Sequence, residues 1–69
     1  MNMVPVKSSN LVSVGYEDAS RELVIRFGSG TYVYYDVPPY IHTGLMDAPS
    51  KGSYHHQHIK NKYRFKKID

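Results

Sequence analysis

Residues 11–37 carry three short β-rich runs separated by two tight turns, and Pro38-Pro39 ends the series. That punctuation constrains the fold more than any other feature. Strands joined by turns of a few residues pair antiparallel, because a parallel crossover needs about a dozen residues or more. The first run, Leu11-Val12-Ser13-Val14-Gly15-Tyr16, places Val12, Val14 and Tyr16 at period 2. Glu17-Asp18-Ala19-Ser20 reads as a turn. Residues 21–27 put Leu23, Ile25 and Phe27 on one side and Glu22, Val24 and Arg26 on the other. Gly28-Ser29-Gly30 turns the chain into a third run, residues 31–37. The expectation is a three-stranded antiparallel meander.

Register decides which side chains face the core, since a slip of one residue exchanges the two faces. A three-residue loop at 28–30, with Gly30 in the left-handed position, sets Phe27 opposite Thr31. Val33, Tyr35 and Val37 then join Leu23 and Ile25 in the core, and Tyr32 and Tyr34 lie on the other face beside Arg26 and Val24. A two-residue loop reverses the assignment. The first register gives the more coherent apolar set and is preferred.

Beyond the prolines the period becomes helical. Ile41, Leu45 and Ala48 predict a helix over 39–48, with Pro39 in its first turn and Pro49 beyond its end. Ser50 suits the N-cap of a second helix over 51–60, in which Tyr54 and Ile59 face inward. The tail Tyr63-Arg64-Phe65-Lys66 alternates aromatic and basic residues and reads as a last extended segment. The fold class is therefore α+β: a three-stranded antiparallel β-meander, two short helices and a short extended C-terminal segment. The expected core is Val12, Val14, Leu23, Ile25, Phe27, Val33, Tyr35, Ile41, Leu45, Tyr54 and Ile59.

Such a chain is short. Its 69 residues make one domain, and a core of this size supplies only about 3–5 kcal/mol of net stability. The absence of cysteine excludes disulfides, a cysteine-based zinc site, a thiol nucleophile and a thiol redox motif. The longest apolar run, Tyr32-Val33-Tyr34-Tyr35, is far below the roughly 18 residues that span a bilayer. The first ten residues have no apolar segment of the signal-peptide kind. The expectation is a soluble cytoplasmic protein without a membrane partner.

Three ordered segments resemble a known family: Val4-Pro5-Val6-Lys7-Ser8-Ser9-Asn10 with Val14-Gly15-Tyr16, then Tyr32-Val33-Tyr34-Tyr35-Asp36-Val37-Pro38, then Ala48-Pro49-Ser50-Lys51-Gly52-Ser53-Tyr54 with His58-Ile59-Lys60. Together they are similar to the KTSC domain, named for its place at the C-terminus of some lysyl-tRNA synthetases and also found as free-standing small bacterial proteins. The resemblance spans about residues 4–66 of a single domain, 1–69. It implies a role in RNA binding, a suggestion drawn from the synthetase context, and it matches the family's Tyr-x-Tyr motif to Tyr32 and Tyr34. Lys7, Ser8, Ser9 and His58 fall on family-motif positions without an assigned role. Lys7, Ser8 and Ser9 fit equally a functional part and an anchor for the start of the first strand.

Charge supplies an independent signal. Residues 1–50 carry three cations against five carboxylates, whereas residues 51–69 carry Lys51, Lys60, Lys62, Arg64, Lys66 and Lys67 against Asp69 alone. A modest total of +3 thus conceals −2 followed by +5. Phosphate binding draws on several cations sharing one surface. In an extended tail, positions 60, 62, 64 and 66 align on one side. Tyr32 and Tyr34 beside Arg26 complete a stacking platform of the kind that holds unpaired bases.

Other chemistry is poorly supplied. His55 and His58 share a helix face and His42 lies on the preceding helix, but no carboxylate joins them and His-Glu-x-x-His is absent. No metal or cofactor is expected, and no catalytic residue. The serines lack a nucleophile elbow and Lys51-Gly52 lacks a phosphate loop. Two readings follow. The first is a non-catalytic module binding RNA or single-stranded nucleic acid through Lys51, Lys60, Lys62, Arg64 and Lys66 with Tyr32, Tyr34 and Arg26. The second is a protein–protein interaction module using the tyrosine-bearing sheet face or an edge strand.

Overall fold

A computed structural model describes residues 2–69. Its elements are β1 (Val4–Pro5), β2 (Leu11–Glu17), β3 (Glu22–Phe27), β4 (Gly30–Tyr34), α1 (Pro39–Asp47), α2 (Lys51–His58) and β5 (Phe65–Lys67). The strands form one five-stranded sheet in the order β1-β2-β3-β4-β5, and every neighbouring pair is antiparallel. The α+β class and the central meander follow the expectation. The sheet is wider than three strands, because the two-residue β1 and the tail strand β5 add one edge each.

The β3–β4 hairpin corrects the expected register. Phe27 pairs with Gly30, leaving a two-residue loop, Gly28-Ser29. Tyr32 therefore stands opposite Ile25 and Tyr34 opposite Leu23, on the face that the helices cover. Tyr34 is 4% exposed and belongs to the core. Val33 lies on the other face, opposite Val24, and Tyr35 is only half-buried. Gly30 makes this turn possible: its φ is +151°, and a Cβ there would sit 2.6 Å from the Asp69 carbonyl oxygen.

A second irregularity lies in β2. Leu11 pairs with Phe27 and Ser13 with Arg26, so Val12 is the extra residue of a β-bulge. The bulge shifts the inward set from Val12, Val14 and Tyr16 to Leu11, Val14 and Tyr16; Val12 is left 47% exposed.

The helices close over this face much as their punctuation predicts. Pro39 opens α1, and the side chain of Ser50 caps α2 by accepting from the Ser53 amide at 3.3 Å. Ile41, Leu45 and Ile59 meet Leu11, Val14, Leu23, Ile25, Tyr34 and Val37 in one core. Phe27 and Tyr54, both expected inside, flank that core and remain partly exposed. Gly44 lets α2 approach, since a Cβ there would lie 2.8 Å from Cζ of Tyr54.

Candidate nucleic-acid interface

The new register places five rings in a closed circuit on the covered face. Phe27 meets Tyr32 at 5.7 Å between centroids, Tyr32 meets Phe65 at 6.0 Å, and Phe65 meets Tyr34 at 5.8 Å. Tyr34 then meets His55 at 5.6 Å, and His55 returns to Phe27 at 5.0 Å. Backbone pairing explains why four of these rings gather. Phe65 pairs with Tyr34 across β4–β5, and Phe27 ends β3 beside the turn that leads to Tyr32. The capped helix α2 brings His55 over them, with Nε2 2.8 Å from the Tyr34 hydroxyl.

Burial disfavours the charged form of both partners. Desolvation, assisted by Tyr32, pushes the Tyr34 phenol up to about 12. Desolvation lowers the His55 imidazole below its usual value, and the positive charge of Lys60 and His56 lowers it further. The five rings wall a cavity of about 400 Å³ whose remaining lining is Asn10, Ser29, Gly52, His56, Lys60 and Asn61. No carboxylate lines it.

Two further depressions adjoin the cavity. On one side, sharing Asn61 and Phe65 with it, an open groove of about 720 Å³ runs past Tyr35, Lys62, Tyr63, Arg64 and Lys66. The Arg64 guanidinium stands 5.6 Å from the Tyr35 ring centroid. Its ion pair with Asp36, at 3.5 Å, joins two side chains that are each 81% exposed, so it restrains the arginine weakly. On the other side, sharing Asn10 and Gly52, a hollow of about 400 Å³ is lined by Lys7, Ser8, Ser9, Ser50, Lys51 and Ser53.

Several expected site residues stand elsewhere than foreseen. The row of four cations does not form: Lys60 and Lys62 occupy the turn after α2, where their amides bond to the carbonyls of His55 and Ile59. Asn61, with φ +67°, bends the chain between them. The extended tail carries only Arg64 and Lys66 of that set. Lys66 pairs with Val33 on the helix-free face, and Arg26 shares that face, so Arg26 lies across the sheet from Tyr32 and Tyr34. Lys51 sits in the hollow and donates to the Ala48 carbonyl at 3.1 Å. Ser8 is an anchor at the start of β2, accepting from the amides of Asn10 and Leu11 at 3.2 Å each.

The histidines diverge. His42 stacks on Tyr16 at 4.7 Å, His55 bonds to Tyr34, and His58 packs against Tyr54 at 4.6 Å. Among the described residues no helix is long and apolar enough to cross a membrane.

The profile of the KTSC domain matches residues 7–63. The chain belongs to the KTSC domain family. A small protein of Tsukamurella paurometabola is 40% identical over 63 residues, which cover 90% of this chain and 94% of that one. A lysine–tRNA ligase of Nostoc punctiforme is 36% identical over 63 residues, again 90% of this chain but only 11% of the ligase. The KTSC domain thus occurs both by itself and as a small part of a tRNA ligase. A crystal structure of a KTSC domain protein from Yersinia pestis superposes with a TM-score of 0.96 at 40% identity, covering 99% of this chain and 97% of that one.

The sequence shows the family, but it does not reveal the ring circuit. From sequence, Phe27 reads as a core residue and Phe65 as part of the alternating tail, and neither they nor Asn10 read as site residues. The signal for the first two was the shorter hairpin loop, which puts Phe27, Tyr32 and Tyr34 on one face and leaves the alternating tail to add Phe65.

Proposed function

We propose that this KTSC domain is a non-catalytic module that binds RNA or another single-stranded nucleic acid along the three adjoining depressions. The observation that supports this reading is their continuity: a ring-walled cavity in the middle, joined through Asn10 and Gly52 to a hollow with Lys7 and Lys51, and through Asn61 and Phe65 to a groove with Lys62, Arg64 and Lys66. Cations spaced along a path with rings between them fit a phosphate backbone that carries bases. The domain's presence in a tRNA ligase points the same way. The protein-docking alternative that relies on an open Tyr32–Tyr34 face has no such face, since Tyr34 is core and Tyr32 lines the cavity.

Binding by this surface depends steeply on salt. For single strands the logarithm of affinity falls with the logarithm of salt by about 0.7 per neutralised phosphate. A labelled ten-nucleotide RNA titrated at two salt concentrations measures that slope. The triple change Lys60→Ala, Lys62→Ala and Arg64→Ala should reduce it by about 2. No binding at low salt, or an unaltered slope in the triple variant, refutes the reading.

A further inference from the structure

The middle cavity differs from its neighbours in kind. The groove is open and carries Lys62, Arg64 and Lys66, and the hollow carries Lys7 and Lys51 but no ring, whereas the cavity is walled by a circuit of five rings, each in contact with the next. Its volume of about 400 Å³ lies within the roughly 300–1,000 Å³ of small-ligand pockets. An aromatic enclosure suits two classes of guest, organic cations and planar rings. The lining decides between them. With Lys60 present and no carboxylate, a cation would meet like charge and no counter-charge. A neutral planar ring carrying an anionic group meets rings, the amides of Asn10 and Asn61, and the Lys60 ammonium.

We propose that the cavity bounded by Phe27, Tyr32, Tyr34, His55 and Phe65 receives one unstacked base of a nucleoside phosphate, with Lys60 against its phosphate. The inference rests on the reading of the domain as a single-strand binder and deepens it: one position of the bound strand turns its base in, and its neighbours contribute backbone charge. Asn10, His56 and Asn61 supply the hydrogen-bonding groups that face the base edge, so this position carries whatever base preference the domain has.

Two measurements test the proposal on the intact 69-residue chain. In the first, adenosine and uridine monophosphates and ribose 5-phosphate are titrated separately while the aromatic proton resonances are followed by NMR. Shifts in Phe27, Tyr32, His55 and Phe65 with a nucleotide, and none with ribose 5-phosphate, support the pocket. Equal shifts with all three overturn it. In the second, Phe65→Ala, an exposed position chosen so that folding survives, is compared with the parent chain on a ten-nucleotide RNA and on the same RNA with abasic sites. The expected loss is about tenfold for Phe65→Ala with the salt slope unchanged, and the abasic strand should bind both proteins alike. A strand that binds the parent with undiminished affinity after base removal overturns the pocket while leaving the strand-binding reading intact. Loss of all strand binding by the parent chain removes that reading instead. An oligomer binding more tightly than the mononucleotide identifies a strand as the source of the base; equal affinities identify a free nucleotide.

Discussion

On the helix-covered face of the sheet, Leu23, Ile25 and Tyr34 lie beneath Ile41, Leu45 and Ile59, and none of the three is more than 4% exposed. On the opposite face, Arg26, Arg64 and Lys66 stand in solvent around Val33 and the half-buried Tyr35. Four aromatic residues divide between these faces although three of them are consecutive or nearly so in the chain: Tyr32, Tyr34 and Phe65 go inward, and Tyr35 meets Arg64 in the groove. The contrast separates two uses of tyrosine. Inside, ring area and a satisfied hydroxyl hold the fold together and shape a cavity. Outside, the ring is a platform for a guanidinium and, on the reading above, for a bound strand.

Truncating one tyrosine on each face gives the largest expected difference. Tyr34→Ala removes a buried ring and strands the His55 imidazole, with an expected loss on the order of 3–5 kcal/mol. That equals the whole stability of a domain this size, about 3–5 kcal/mol, so the variant should be largely unfolded at 25 °C by circular dichroism. Tyr35→Ala removes an exposed cation–π contact worth about 0.5–1 kcal/mol and should unfold in urea only slightly earlier than the parent. Equal losses at the two positions would mean that the faces are wrongly assigned.

This contrast hung on one residue of loop length that the sequence leaves ambiguous. Gly28 and Gly30 bracket Ser29, so both a two-residue and a three-residue turn have glycine where it is needed, and local chemistry does not choose. Packing chooses: the shorter loop lets Tyr34 reach His55, a partner 21 positions away. Val12 illustrates a similar limit, because a bulge breaks period 2 without a sequence mark and hands the inward position to Leu11. The helices were legible because Pro39, Pro49 and Ser50 act through local backbone geometry; α1 and α2 end one and two residues before their expected limits. The strands β1 and β5, of two and three residues, are too short for a periodic signature and exist because β2 and β4 offer them edges. Of the candidate site, the cations were legible as a composition, but their division among hollow, turn and sheet face depends on tertiary placement.

The hairpin itself offers an intermediate effect. Gly30→Ala forces a side chain into φ +151° and against the Asp69 carbonyl and the Lys67 side chain, both at the β5 edge. Backbone strain of this kind costs on the order of 1–3 kcal/mol, and the midpoint of thermal unfolding should fall by about 4–8 °C per kcal/mol lost. The change also tests the register. A three-residue loop relieved of its clash would exchange the faces and release Tyr34 from His55, which tyrosine fluorescence and the His55 resonances would report. Unfolding at a lower temperature with those signals unchanged sharpens the assignment.

Acid should produce the smallest effect, and it acts on the covered face. Burial lowers the His55 and His42 imidazoles in the folded chain; Lys60 and His56 lower His55 further, while Asp18 partly offsets the shift at His42. The unfolded chain takes up a proton at each near the ordinary histidine value of about 6.5, so between there and the lower folded values it binds more protons than the folded chain. Stability from this source is present above pH 6.5 and drains away as pH falls through the folded values. Thermal unfolding followed at pH 7.5 and 5.0 should shift downward in acid. His55→Gln should flatten part of that dependence, His42→Gln another part, and the double variant most of it. The groups that face His55 across the packing are Tyr34 and Phe27 from the sheet, with His56 and Lys60 from its own segment. Lys60→Ala should consequently leave the parent dependence in place but weaken it, because burial, the larger cause, is untouched. A dependence that survives the double histidine variant undiminished would place its origin in the carboxylates, and with it remove histidine burial as a difference between the two faces.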